Sequence, residues 1–119
     1  MKAMLVIMLI ALVPLGALAA GERFACNAKA LSKTERPRYQ ALTGALLGAI
    51  QEKRELPEGY AFRLPPDNLS AVAEWVAFER KCCPFFTFVL EQSSDVGPLW
   101  LRITGPKGVK VFMREEFGL

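Results

Sequence analysis

Three cysteines, Cys26, Cys82 and Cys83, carry most of the chemistry this sequence offers. Two are neighbours in the run Glu79-Arg80-Lys81-Cys82-Cys83-Pro84-Phe85-Phe86, and the third lies far upstream behind Phe24-Ala25. Thiolates are soft donors that select Cu(I), Hg(II), As(III) or Zn(II). Cys82 and Cys83 with Cys26 form a three-sulfur set suited to a trigonal ion, whereas tetrahedral Zn(II) requires a fourth ligand such as Glu79 or water. Arg80 and Lys81 favour the charged thiolate, and the negative end of a helix opposes them.

The same residues support two other chemistries. A disulfide from Cys26 to Cys82 or Cys83 would staple the N-terminal segment to the domain, adding roughly 2–4 kcal/mol and leaving one thiol over. A bond between the sequence neighbours Cys82 and Cys83 is strained and ranks last. Thiol–disulfide redox catalysis is the third reading. Such catalysts usually place Cys-x-x-Cys at a helix N-terminus, and this pair falls at the opposite end.

Much else is excluded. Histidine is absent, which removes the commonest general base, the Ser-His and Cys-His nucleophiles and every imidazole-dependent zinc site. Glu74, Glu79, Glu91, Asp95, Glu115 and Glu116 show no spacing that singles out a catalytic pair. Gly105-x-x-Gly108 lacks the rest of a phosphate-cradling loop and reads as a turn before a helix. Trp75, Phe85, Phe86, Phe88 and Trp100 read as core. Arg36, Arg38, Arg63, Arg80 and Arg102 are scattered and read as solvated or paired with acids, so no cationic surface for nucleic acid is expected. The chain is read as a non-enzymatic protein with no catalytic residues.

The elements that must position the cysteines follow from the rest of the 119 residues, a length that suits one domain. In residues 1–20 all but Lys2, Pro14 and Gly16 are apolar, and Ala17-Leu18-Ala19 offers a small-x-small cleavage site. This reads as an export signal, leaving residues 21–119 as the domain in the periplasm or outside the cell. A membrane association is expected only if that segment stays uncleaved. In such a compartment disulfides form and persist, and an odd cysteine count leaves one thiol free, ion-bound or paired with another molecule.

Ser32-x-x-Glu35 has capping-box spacing, with Thr34 as a competing cap favoured by Pro37. Tyr39, Leu42, Leu46, Ala49 and Ile50 predict a helix to about Glu55, stopped by Leu56-Pro57-Glu58-Gly59. Tyr60–Leu64 reads as a strand ended by Pro65-Pro66. Asp67 or Asn68 caps a second helix reaching Cys82, with Leu69, Val72, Ala73, Val76 and Glu79 or Cys83 on one stripe and Trp75, Phe78 and Cys82 on the next; Pro84 stops it. Phe86, Phe88 and Leu90 alternate along a strand, Ser93–Pro98 turns, and Leu99–Thr104 returns as the second arm of a hairpin. After Gly105-Pro106-Lys107-Gly108, Val109, Phe112, Met113 and Phe117 mark a closing helix. The expected fold is a small α+β domain, helix-strand-helix-hairpin-helix, with a three-stranded sheet covered by helices.

The segments Phe24-Ala25-Cys26-Asn27, Leu56-Pro57-x-Gly59-Tyr60-x-Phe62-Arg63, Glu79-Arg80-Lys81-Cys82-Cys83-Pro84-Phe85-Phe86 and Leu99-Trp100-Leu101-Arg102-Ile103-Thr104-Gly105-Pro106 resemble a family of small bacterial exported proteins without an assigned activity. Its most specific part is the Glu-Arg-x-Cys-Cys-Pro-Phe core. The resemblance implies a single bacterial domain and draws attention to Cys26, Cys82 and Cys83. Short Cys-Cys-Pro-Phe segments also resemble stretches in proteins of heavy-metal response. The leading expectation is an exported protein that captures a soft metal or metalloid ion (Cu, Hg, As or Zn) through Cys26, Cys82 and Cys83. The alternatives are a disulfide-stapled domain that binds an envelope protein, and then a thiol oxidoreductase.

Overall fold

The computed structural model describes residues 24–119, so the export signal expected over residues 1–20 lies outside the described residues. Helix α1 spans Glu35–Ala49, β1 Glu52–Leu56, β2 Gly59–Leu64, α2 Leu69–Cys82, β3 Thr87–Gln92, β4 Leu99–Thr104 and α3 Val109–Phe117. The fold is α+β, as expected. Its sheet has four antiparallel strands in the order β1-β2-β4-β3, one more than predicted.

The extra strand comes from residues expected to prolong the first helix. α1 stops at Ala49, Ile50 turns to an extended conformation, and Gln51 N–H already donates to the Arg63 carbonyl at 2.8 Å. Gly44 and Gly48 weaken the second half of the helix by about 1 kcal/mol each relative to alanine. Glu52-Lys53-Arg54-Glu55 favours helix by propensity and shows no alternation, yet the two-residue turn Pro57-Glu58 folds it onto β2 with Leu56 opposite Gly59. Pairing decides against propensity here. Gly59 is obligatory in this arrangement, because a Cβ there would run into the Ile103 carbonyl of β4.

Of the two caps the sequence offers for α1, the structure uses Ser32 and not the Thr34 that Pro37 favours. Ser32 N–H donates to Glu35 Oε1 at 3.0 Å and Glu35 N–H donates to Ser32 Oγ at 3.1 Å, the reciprocal exchange of a capping box. Thr34 makes no side-chain cap. At α2, neither Asp67 nor Asn68 supplies the predicted side-chain cap; a 3₁₀ turn, Pro66–Asn68, leads in, with Asn68 N–H on the Pro65 carbonyl at 3.0 Å.

One face of the sheet carries the core. Register places Tyr60, Phe62 and Leu64 beside Ile103, Leu101 and Leu99, with Phe88 and Leu90 next in line. Against them pack Leu42 and Leu46 of α1, Val72 and Trp75 of α2, and Val109 and Met113 of α3. On α2 the buried positions are Val72, Trp75, Glu79 and Cys82, while Leu69 and Ala73 of the predicted stripe are exposed. Trp75 Nε1 donates to Thr43 Oγ1 at 3.0 Å, and Arg38 clasps Glu74 through two bonds of 2.8 Å; both tie α1 to α2. Gly108, at φ 95°, makes the left-handed turn that starts α3.

Candidate functional site

Cysteine chemistry gathers where α2 ends. Cys82 is its last residue and Cys83 caps it, its N–H donating to the Glu79 carbonyl at 2.8 Å before Pro84 forbids a further turn. The N-terminal segment crosses this end. Phe24 is buried, 5.0 Å from the Phe85 ring and 6.3 Å from that of Phe112, and Asn27 N–H donates to the Cys82 carbonyl at 2.8 Å. A carbonyl that the helix leaves without a partner is thereby satisfied. Between these anchors Cys26 forms a disulfide with Cys83, with Cα atoms 4.7 Å apart at a sequence separation of 57.

Cys82 does not join them. Neighbours on a helix point about 100° apart around the axis, so when Cys83 faces Cys26, Cys82 faces the core, where it is buried as a free thiol. Burial pushes that thiol up, the charges of Glu79 and Glu35 push the same way, and Lys81 opposes them. The sequence left open whether the basic neighbours of the pair would prevail. At Cys82 burial prevails, and Lys81 is itself engaged with Glu35 at 3.3 Å.

The third member of the cluster is Glu79, one helical turn before Cys83 and on the same face. It is the only charged side chain among the described residues that is fully buried, at 0% exposure. Its Oε2 accepts the Tyr39 hydroxyl from α1, and its Oε1 lies 3.2 Å from Cys83 Sγ. Burial raises the carboxyl to about 7; the Tyr39 bond works against that rise and Glu116 adds to it. Tyr39 is driven well above its ordinary value by its own burial, then by Glu79, so it stays a donor. Bonded to Cys26, Cys83 Sγ has no proton to give. The 3.2 Å approach is a hydrogen bond when the Glu79 carboxyl is protonated and donates to sulfur, or, after reduction, when the thiol donates to the carboxylate.

Cys26 Sγ, a Glu79 carboxylate oxygen and Cys83 Sγ all lie within 4.8 Å of one another. Of the three sequence-predicted site residues the structure thus unites Cys26 and Cys83 and sets Cys82 apart. Glu79, named beforehand only as an auxiliary zinc ligand, is central, and the i, i+4 spacing from Glu79 to Cys83 is the signal that points to it. The arginines behave as expected: Arg38 meets Glu74, Arg102 meets Glu91 at 3.1 Å and Arg63 approaches Glu52 at 3.5 Å.

Comparison of the chain with protein-family models, with curated proteins and with solved structures finds no match. The resemblance carried by Glu79-Arg80-Lys81-Cys82-Cys83-Pro84-Phe85 therefore stands on those residues alone.

Proposed function

We propose that this chain, with Cys26 and Cys83 reduced, captures a soft metal or metalloid ion through their two sulfurs, with the Glu79 carboxylate as third donor. The observation that carries the reading is the convergence of those three groups within 4.8 Å, two of them fully enclosed. A fully buried carboxyl is costly, and a disulfide whose only task is stapling gains nothing from one beside its sulfur. As a ligand, the carboxylate would exchange its desolvation penalty for a bond to a cation. The two thiolates select Hg(II), As(III) or Cu(I), to which the hard carboxylate adds charge more than bond strength; Zn(II) accepts all three donors and would add water as a fourth ligand. The ligand set thus differs from the three sulfurs expected from sequence, with Glu79 in place of Cys82.

The test is titration of protein reduced in denaturant and refolded without oxygen, using Hg(II), Cu(I), As(III) and Zn(II) in turn, read by native mass and thiolate-to-metal absorption. Cys26→Ser and Cys83→Ser should each weaken binding by more than about a hundredfold, beyond the cost of losing an outer-shell partner, and Cys82→Ala should leave it intact. Affinity no better than that of a simple thiol would end the proposal. Loss on Cys82→Ala as well would restore the three-sulfur set.

The disulfide itself favours a second reading, a stapled domain that binds an envelope protein. It predicts that oxidised and reduced protein capture the same partner and that neither holds an ion.

A further inference from the structure

We infer that the Cys26–Cys83 disulfide is open to exchange with external thiols, and that the exchange has a fixed direction: attack falls on Cys26 and Cys83 leaves. This rests on the same cluster as the ion reading and names what unlocks it. The argument is steric. Thiol–disulfide exchange requires a thiolate to reach one sulfur, and access decides which. Cys83 is 0% exposed, enclosed by the end of α2 and backed by Glu79 at 3.2 Å. Cys26 is only partly buried, on a segment without regular secondary structure. Phe24 and the Asn27–Cys82 bond anchor that segment on both sides of Cys26, so it need not leave the domain when the sulfur bond opens.

The substrate class is a small thiol or an accessible protein cysteine. Its thiolate attacks Cys26 Sγ; a bond forms between those sulfurs, the Cys26–Cys83 bond breaks, and the electron pair leaves on Cys83 Sγ. That sulfur takes up the proton given up by the attacking thiol, and the resulting S–H faces Glu79 Oε1. A second thiolate then attacks the external sulfur of the mixed disulfide and frees Cys26. Two external thiols are oxidised to one disulfide, and Cys26–Cys83 is reduced to the pair that the ion requires.

Glutathione is a suitable probe. Oxidised native protein is mixed with it, quenched in acid, alkylated and mapped by peptide mass. The expected result is a glutathione adduct on Cys26, favoured over Cys83 by more than about tenfold, with alkylated Cys83 in the same molecules. An adduct on Cys83, or a disulfide that yields only in denaturant, overturns the inference. The ion titration starts from protein already reduced in denaturant, so the two ideas fail separately: a sealed disulfide leaves ion capture standing, and absent ion binding leaves the exchange standing.

Discussion

Glu79 is the residue on which the site turns, and its proton state links chemistry to stability. Its folded value of about 7 lies above the ordinary 4.5. The unfolded chain therefore ionises first, and stability is fully present below about pH 4.5 and drains away as pH rises to about 7, by about 3 kcal/mol. Glu35, Glu55 and Glu74 are shifted the other way by hydrogen bonds to Ser32, Lys110 and Arg38, so they titrate below this window. Glu79→Gln keeps the shape and a neutral hydrogen-bonding head. In the disulfide form its stability relative to wild type should improve by about 2–3 kcal/mol between pH 5 and pH 8, read from urea midpoints. An unchanged difference would mean that Glu79 is not held neutral. The cysteines were legible in sequence as the chemical residues. Their division was not, because it depends on how Cys83 turns out of the helix once Pro84 has ended it.

Elements explain both what the sequence disclosed and what it concealed. α2, α3, β4 and the Ser32–Glu35 capping box were readable because each is specified locally, by periodicity, alternation or a cap. β1 was concealed because Glu52-Lys53-Arg54-Glu55 satisfies helical propensity, and only pairing with β2 makes it a strand. Two glycines test this division with opposite signs. Gly59→Ala forces a Cβ onto the Ile103 carbonyl and should cost about 2–3 kcal/mol, because backbone cannot yield cheaply. Gly44→Ala, within α1 and with open space around the added methyl, should gain up to about 1 kcal/mol. Thermal melts of the two variants moving in the same direction would contradict the sheet register at Gly59.

At the scale of the molecule the disulfide closes a loop that holds α1, β1, β2 and α2, and β3, β4 and α3 lie outside it. In chain-entropy terms a loop of that length adds about 4 kcal/mol, a large share of the stability of a domain this small. Cys26→Ala should therefore lower the urea midpoint strongly, and reductant should then have no further effect; wild type treated with reductant should fall to nearly the same point. Wild type and variant that unfold alike without reductant would deny the staple. The open face of the sheet carries Arg54 over the Trp100 ring at 4.5 Å, with Arg63 and Arg102 alongside. The alternation of Leu99–Thr104 sets Trp100 and Arg102 on one side, yet Trp100, read from sequence as core, is only partly buried there, and Arg54 reaches it only because β1 is a strand. The position of β1 at the sheet margin has a consequence for behaviour in a crowded solution. Its four successive charges project from both faces, so a strand from another molecule could add there only by burying charge on each side. Templated sheet growth is thus barred at that border, and any self-association through strand edges falls to β3 at the other.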